Sequence, residues 1–328
     1  MRQLPALLVA LLLLGLVTVV VSQKQDPPAA AEPLQIFFLH GGKSHGSGAH
    51  EHRAGSHLLA QQLEAQSAVP VDATVIAGWP NDESQLDRAD SIVIYCDATS
   101  VTQKGWDKLD ALVSKGVGLM LIHYATHPKV PQGEEYFMPW VGGYFHNDES
   151  VNPDWLAEIK PLAGHPTARG VGEIAAIGEF YFNLTYHPDA LPLGTAIPTK
   201  ENLTAFHNLW RPGGEEALGT PQAILWGRER PDGSRGAGFT GGHYHHNWAF
   251  DEYRQLVMNT IVWTAGGLIP PDGIPVQQVT EDMLNANLDD YGKKTKRISL
   301  PTDPRIGFTP TKYLTPKEFA ERRKKRKK

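Results

Sequence analysis

The sequence contains a single cysteine, Cys96, among its 328 residues. One cysteine cannot form an internal disulfide, and it excludes a metal site built on several thiolates. The composition is otherwise that of a globular chain, with 41% hydrophobic and 20% charged residues, so a disordered or collagen-like protein is excluded as well. Any metal ion that the chain binds must therefore be held by histidine, aspartate or glutamate.

Positive charge is scarce outside the last seven residues. Residues 322–328 are all Arg or Lys, whereas the rest of the chain carries 24 positive against 36 negative side chains, a balance of −12. This acidic body argues against nucleic acid as a partner. The basic tail is either a solvated end or an electrostatic contact with an anionic surface, polymer or lipid.

The N-terminus has the pattern of a secretory signal over residues 1–22. Arg2 precedes an apolar run at residues 4–21, and Ser22 supplies a small residue for cleavage before Gln23. The run is also close to the ~20 residues that a membrane-spanning helix needs, so an uncleaved anchor is the alternative. In both cases we expect an exported protein, whether periplasmic, secreted or anchored.

Prolines mark the limits of the folded region. Pro27, Pro28 and Pro33 indicate a linker over residues 23–33. Further prolines punctuate residues 269–328, which we interpret as an extension that wraps the domain or trails from it. One domain is therefore predicted over residues 34–268.

Strands and helices are predicted to alternate in the first half of this domain. Four apolar runs of strand type lie at residues 34–40, 71–77, 91–95 and 118–123. Helical spacing follows at residues 53–66 and again after Thr102, which is predicted to be a helix N-cap. This alternation is typical of a parallel sheet covered by helices on both faces.

The second half of the domain has a different pattern. Residues 223–228 and 236–240 flank a Pro-Asp-Gly turn, which predicts a β-hairpin. A helix is then predicted at residues 251–265, where the apolar side chains follow helical spacing. We therefore predict an α/β fold with a mixed, mostly parallel sheet.

The predicted strand ends place polar side chains together. In open α/β sheets, ligands bind outside the carboxyl ends of the parallel strands. Cys96 and Asp97 follow the third predicted strand, and His123 and His127 lie after the fourth. Cys96 lacks the glycine-flanked turn that exposes a nucleophile on such sheets, so a buried thiol is the expectation and a cysteine hydrolase the alternative.

Eight of the 14 histidines fall in two windows. The two windows contain His40, His45, His50, His52 and His57, and then His243, His245 and His246. Neutral imidazole is the commonest protein metal ligand, and three such nitrogens with one open position form a catalytic zinc-type site. We predict His45, His50, His52 and His243 as ligands of a divalent metal, with zinc first. The alternative for any one of them is a solvated or hydrogen-bonded structural role, and His57 is expected to pack in its helix.

Glu179 is the carboxylate that draws attention, because it lies in the apolar run AIGEFYF. A carboxylate in such surroundings needs a partner or a raised pKa. It is predicted to be a metal ligand or a general base, and a buried hydrogen-bond anchor is the alternative.

Four segments, in this order, resemble the trehalose-utilisation (ThuA-like) family. They are SHGSGAHEHRAGSHLLA, GLMLIHYATH followed by WVGGYF, GHPTARGVGEIAAIGEFYF, and GAGFTGGHYHHNWAFDEYRQLVMNTIVWTAGG. The resemblance implies the class I glutamine amidotransferase-like, flavodoxin-like fold over residues 34–268. It places His123 where the amidotransferases have their nucleophilic cysteine and His243 near their catalytic histidine, so glutaminase chemistry is not expected.

The resemblance also implies a role in the catabolism of disaccharides, glycosides or keto-sugars. The first hypothesis is an exported metal-assisted enzyme in which Glu179 and His123 are catalytic. Its predicted substrate contacts are Asp97, His127, Tyr144, Tyr181 and Trp248. The second hypothesis is a carbohydrate-binding domain without catalysis. The sequence leaves open the reaction, whether hydrolysis, isomerisation or elimination, and the oligomeric state.

Overall fold

The computed structural model describes residues 32–204, 209–303, 305, 318 and 321. The predicted signal at 1–22, most of the linker and the basic tail lie outside these residues. Among the described helices, none combines the length and the apolar character that crossing a membrane requires.

A sheet of nine strands forms the centre of the fold. The strands are β1 (Leu34–His40), β2 (Val71–Ala77), β3 (Ser91–Tyr95), β4 (Gly118–Ile122), β6 (Asp154–Pro161), β7 (Ile174–Glu179), β9 (Leu191–Ala196), β10 (Gln222–Glu229) and β11 (Arg235–Phe239). They are arranged in the order β2-β1-β3-β4-β11-β10-β9-β6-β7. A separate pair, β5 (Gly143–Tyr144) and β8 (Thr185–Tyr186), is antiparallel.

The first five strands of this order are parallel, and the last four join by antiparallel pairing. The parallel order, with the first two strands exchanged, is that of flavodoxin-like folds. The prediction of a mixed, mostly parallel sheet is confirmed. The predicted hairpin is also confirmed as β10 and β11, joined by the Pro-Asp-Gly turn.

Helices cover both faces of the parallel strands, as predicted. Within residues 32–204 and 209–303, the α-helices are α1 (His52–Ala65), α2 (Trp106–Ser114), α3 (Val130–Gln132), α4 (Met138–Val141), α5 (Asp251–Thr264) and α6 (Glu281–Asn285). In β1, Ile36 and Phe38 pack in the core with α1 and α5, whereas Phe37 and Leu39 pack on the other face with α2 and α4. Burial on both faces explains why the strand is apolar throughout and does not alternate.

The prediction that Thr102 caps a helix is wrong. Thr102 begins a short 3₁₀ turn, and α2 starts only at Trp106, with Gly105 as its N-cap. The Thr102 hydroxyl donates a hydrogen bond of 3.4 Å to the carbonyl of Thr99, so it does not cap the first amides of the helix.

The described part of the extension wraps the domain. Residues 287–298, which we call the C-terminal segment, run over the loop that follows β1. Lys43 donates a 2.7 Å hydrogen bond to the carbonyl of Asp290, and the Asp289 amide donates one of 2.7 Å to the carboxylate of Glu51. The Lys296 amide donates to the Ser47 hydroxyl at 2.9 Å. The loop is therefore held from outside by chain that follows the predicted domain.

Ending the chain after Ala286 should loosen the loop at residues 41–50. The truncation removes these hydrogen bonds, each worth on the order of 1 kcal/mol. Hydrogen exchange of the loop amides should become faster while exchange in β3 and β4 stays slow. A chain that ends after Asp303 is the control and should exchange like the full chain. Equal loop exchange in both truncations would contradict this role of the C-terminal segment.

Candidate metal centre

The carboxyl ends of four parallel strands meet at one edge of the sheet. His50 lies in the loop after β1, Asp97 follows β3, His123 directly follows β4, and His243 lies four residues after β11. Glu179, the last residue of β7, reaches the same place from the antiparallel half. The fold thus gathers side chains that are up to 193 residues apart in sequence.

Two loops of this edge are fastened to each other by their backbones. The His50 amide donates to the carbonyl of His243 at 2.9 Å, and the His245 amide donates to the carbonyl of Gly48, also at 2.9 Å. Ala49 and Tyr244 form an antiparallel bridge between these bonds. The pairing fixes the separation of two histidine side chains that approach from different loops.

Two of the gathered histidines have strained backbones. His50 has a φ of 54° and His123 a φ of 56°, in the left-handed region that side chains other than glycine rarely adopt. Such strain concentrates at functional sites, where the surrounding structure holds it in place. Here the loop pairing holds His50, and the sharp turn after β4 holds His123.

Three imidazole nitrogens and one carboxylate oxygen point at a common centre. His123 Nε2 lies 3.0 Å from His50 Nε2 and 3.2 Å from His243 Nδ1, and the latter two are 3.1 Å apart. Glu179 Oε2 is 3.4 Å from His243 Nδ1 and 3.7 Å from His123 Nε2. These four residues, His50, His123, Glu179 and His243, are the four-residue cluster.

The hydrogen bonds on the outer side of two rings fix which nitrogen carries the proton. His123 Nδ1 lies 2.7 Å from the carbonyl oxygen of Thr240, which can only accept, so Nδ1 must donate. His50 Nδ1 donates in the same way to the carboxylate of Asp97 at 2.8 Å. In the neutral rings, each Nε2 atom therefore carries a lone pair and no proton.

Burial keeps these rings neutral. It lowers the pKa of His123 well below its usual value, and the neighbouring His50 and His243 lower it further. Burial also lowers the pKa of His50, although the hydrogen bond to Asp97 opposes this effect. For Asp97, burial raises the pKa, but the hydrogen bonds from His50 and Ser44 outweigh it and the net pKa is lowered, so Asp97 is ionised.

The Nε2 atoms of His50 and His123, each with a lone pair that faces the other, therefore lie 3.0 Å apart. The Tyr181 hydroxyl donates to His123 Nε2 at 2.9 Å, and His243 Nδ1 is within reach of both rings. Each of these groups can form a hydrogen bond with one of the two nitrogens, but neither places a proton between His50 Nε2 and His123 Nε2. The ligand atoms of His50, His123, Glu179 and His243 all lie within 4.8 Å of one another, so together they could hold a metal ion.

A cavity of about 230 Å³ opens beside the cluster. It is lined by His45, His50, Tyr124, His127, Phe145, Asn147, Asn152, Glu179, Tyr181 and Arg211. Asn152 donates to Glu179 Oε1 at 2.8 Å, which turns Oε2 toward the histidines. The His127 ring stacks on Phe145 at 3.6 Å, and its buried Nε2 has no hydrogen-bond partner among the described residues.

The structure corrects the placement of three predicted site residues. His52 is fully buried behind the cluster, where its Nδ1 meets the carbonyl of Gly42 and its Nε2 is 3.7 Å from Asp97. As the first residue of α1, it cannot turn toward the centre that His50 faces. Trp248 and Tyr144 do not line the cavity, because the ring of each is packed in one of the two buried cores.

The remaining predicted residues lie at or near the site. His45 is exposed, its ring centre lies 3.6 Å from that of His50 with the two rings tilted, and it forms a second group with His50 and Asp97. His127 and Tyr181 line the cavity, and Asp97 supports His50 from behind. Cys96 is fully buried and burial raises the pKa of its thiol to about 11, so it remains a protonated core residue.

Sequence patterns missed several cavity residues. Arg211, Asn147 and Asn152 lie in irregular chain, where no periodicity marks a functional side chain. Tyr124 had a usable signal, because it directly follows His123 at the end of β4. The loops that carry the other three reach the cavity only through the tertiary fold.

The family is decided by a match that covers the core of the domain. The family model described as ThuA, trehalose utilisation, matches residues 40–264, more than half of the chain. The chain belongs to the ThuA family. This family implies a carbohydrate-related role, and the four-residue cluster lies entirely within the matched region. No curated protein is significantly similar to the chain.

Three solved structures are similar to the chain in fold. A ThuA-like protein from Parabacteroides merdae is 12% identical, with a TM-score of 0.51 over 75% of this chain and 98% of that one. A ThuA-like protein from Bacteroides uniformis is 13% identical, with a TM-score of 0.48 over 74% and 98%. A glutamine amidotransferase from Thermotoga maritima is 5% identical, with a TM-score of 0.40 over 72% and 99%.

Two buried histidines outside the cluster, His52 and His245, should make the ThuA domain sensitive to acid. Burial lowers the pKa of each to about 4, against 6.5 in the unfolded chain. Below pH 6.5 these histidines become protonated in the unfolded chain but stay neutral in the folded chain, so the free energy of unfolding falls as the pH drops toward 4. The loss is about 3 kcal/mol per histidine. Urea unfolding across this range should show it, and His245→Gln should reduce the pH dependence. An unchanged dependence in that variant would contradict the neutral, buried state of His245.

Proposed function

We propose that this chain is a metal-dependent enzyme that acts on a carbohydrate, either a disaccharide, a glycoside or a keto-sugar. The observation that carries the proposal is the approach of two unprotonated imidazole nitrogens, His50 Nε2 and His123 Nε2, to 3.0 Å. Two lone pairs at this distance repel each other, and a shared divalent cation turns the repulsion into two bonds.

The donor set fits such an ion. Three imidazoles and one carboxylate are ligands that suit zinc. With bonds of about 2.0–2.1 Å, neighbouring ligand atoms of a tetrahedral zinc site are roughly 3.3 Å apart. Five of the six separations in the four-residue cluster run from 3.0 to 3.7 Å, and the sixth, between His50 and Glu179, is within 4.8 Å.

The outer partners of the ligands support the same interpretation. Metal-binding histidines commonly donate their other N–H to a carboxylate or a backbone carbonyl, which fixes the tautomer. Asp97 does this for His50, and the carbonyl of Thr240 does it for His123.

The neighbouring side chains can handle protons and position a substrate. When bound, a divalent ion polarises a carbonyl or hydroxyl oxygen or lowers the pKa of a bound water. Burial raises the pKa of Tyr181 well above its usual value, so its hydroxyl stays protonated and donates a hydrogen bond beside the cluster. Glu179 Oε2 faces the same point and either completes the ligand set or accepts a proton. The buried Nε2 of His127 is placed to bond a substrate hydroxyl.

The carbohydrate part of the proposal is supported by the ThuA match and by the cavity. Its lining is mostly polar, with flat rings from Phe145, Tyr124 and Tyr181, and such faces suit a sugar. We further propose export of the protein, which is supported by the signal pattern of residues 1–22.

Purified protein should contain about one equivalent of metal, and His123→Ala and His243→Ala should each lose it. Each substitution removes one of three imidazoles and leaves a cavity that holds the ion poorly. The measurement is elemental analysis combined with turnover of oxidised and unoxidised disaccharides, with and without chelator. His246→Ala is the matched control, because this ring stacks on Tyr244 outside the cluster.

Full metal content in both cluster variants would overturn the assignment of the site. Metal loss without any change in sugar binding or turnover would separate metal binding from the carbohydrate role.

Asp97→Asn should weaken metal binding roughly 10- to 100-fold without removing a ligand. The amide still accepts from His50 Nδ1, but its lost charge makes the imidazole a poorer donor to the ion. Competition with a chromophoric chelator would measure the affinity. Asp148→Asn is the control, since Asp148 is exposed on the neighbouring loop. Equal affinity in wild type and Asp97→Asn would show that the carboxylate does not support the site.

A further inference from the structure

Arg211 places a positive charge in the wall of the cavity. Its Nη1 donates a 2.7 Å hydrogen bond to the carbonyl of Ser150, and its guanidinium lies 5.6 Å from the Phe145 ring centre. These two contacts hold the planar group in one orientation. The remaining donors, Nε and Nη2, make no hydrogen bond to any described residue.

No described carboxylate forms an ion pair with this guanidinium. The side chain is partly buried, and burial lowers the pKa of Arg211 although the charge of Asp148 acts in the opposite direction. Asp148 stays beyond ion-pair distance, because no contact within 4.0 Å joins the two side chains. A partly desolvated cation without a close counter-ion favours an anion beside it.

The carboxylate that lines the cavity, Glu179, and the one behind it, Asp97, both contact groups other than Arg211. The Asp97 carboxylate binds His50, and Glu179 faces Asn152 on one side and the histidines on the other. A divalent ion in the four-residue cluster would be balanced by these two carboxylates, and the charge of Arg211 would remain. This step of the argument rests on the proposed function.

The size of the cavity limits what it can hold. A volume of about 230 Å³ is below the roughly 300–1,000 Å³ of pockets that enclose drug-sized ligands. One sugar ring is therefore the suitable occupant. Asn147, whose amide nitrogen donates to the carbonyl of Pro128 at 2.9 Å, also lines the cavity, and its amide oxygen is available to accept from a sugar hydroxyl.

We propose that the substrate is an anionic sugar, whose oxyanion pairs with Arg211 while its ring lies toward the four-residue cluster. A carboxylate and a phosphate both match the two parallel N–H donors of a guanidinium. The ligand class is thus a sugar acid or a sugar phosphate, in contrast to the uncharged disaccharide that the family description names.

Calorimetric titration of the full-length protein would test this inference with glucuronate, galacturonate, glucose 6-phosphate and uncharged glucose at equal ionic strength. At least one anion should bind 10-fold or more tightly than glucose, and added salt should weaken this preference. Which anion binds best distinguishes the carboxylate from the phosphate. Arg211→Gln should abolish the preference, and Arg211→Lys should keep part of it because the charge remains.

Arg305→Gln is the matched control, because Arg305 is an exposed arginine paired with Glu158. It should keep the full preference for the anion. Thermal unfolding of each variant would show that the protein is folded. Equal or absent binding of anions and glucose by wild type, or a preference retained in Arg211→Gln, would overturn the inference.

Metal content measured on the same samples keeps the two proposals apart. Metal present without an anion preference refutes the anionic substrate alone. An Arg211-dependent preference in protein that holds no metal refutes the metalloenzyme proposal and leaves the anion site in place.

Discussion

The contact between His50 Nε2 and His123 Nε2 is the physical feature on which the interpretation of the site depends. Each nitrogen is deprived of its proton by a partner on the far side of its ring, the carboxylate of Asp97 in one case and the carbonyl of Thr240 in the other. Neither partner touches the centre of the cluster. The protonation of the two rings is therefore set by Asp97 and Thr240, which lie behind them. These partners hold the two neutral imidazoles in an arrangement that is unfavourable for the pair by itself.

The fold supplies the rigidity that this contact requires. Parallel strands fix Asp97 and His123 at neighbouring strand ends, and the paired loops fix His50 against His243. The C-terminal segment adds a third layer, because it binds the loop after β1 from the outside. This layer lies beyond residue 264, where the family match ends. The loop that carries His50 is thus contacted by chain outside the matched region.

The sequence predicted the architecture well and the site in part. Apolar runs and turn signals were sufficient to predict the sheet, because strands buried on both faces are continuous apolar segments in the sequence. His123 and Asp97 were found because strand ends converge. The sequence could not show that His50 and not His52 faces the cluster. That difference depends on the left-handed backbone at His50, which no local sequence pattern predicts. Aromatic residues were the weakest inference. Trp248 stands beside polar residues in sequence, yet its ring belongs to the core.

The left-handed backbones of His50 and His123 also bear on how this protein would respond to engineering. A left-handed conformation costs roughly 1–2 kcal/mol for a residue with a side chain, and glycine or asparagine relieves it. In protein that holds no ion, the same replacements would also remove the repulsion between the two lone pairs. Selection for thermostability alone would therefore favour substitutions at these two positions, and those substitutions would remove the cluster. Thermostabilised variants of this chain are informative about its chemistry only if both histidines are held fixed.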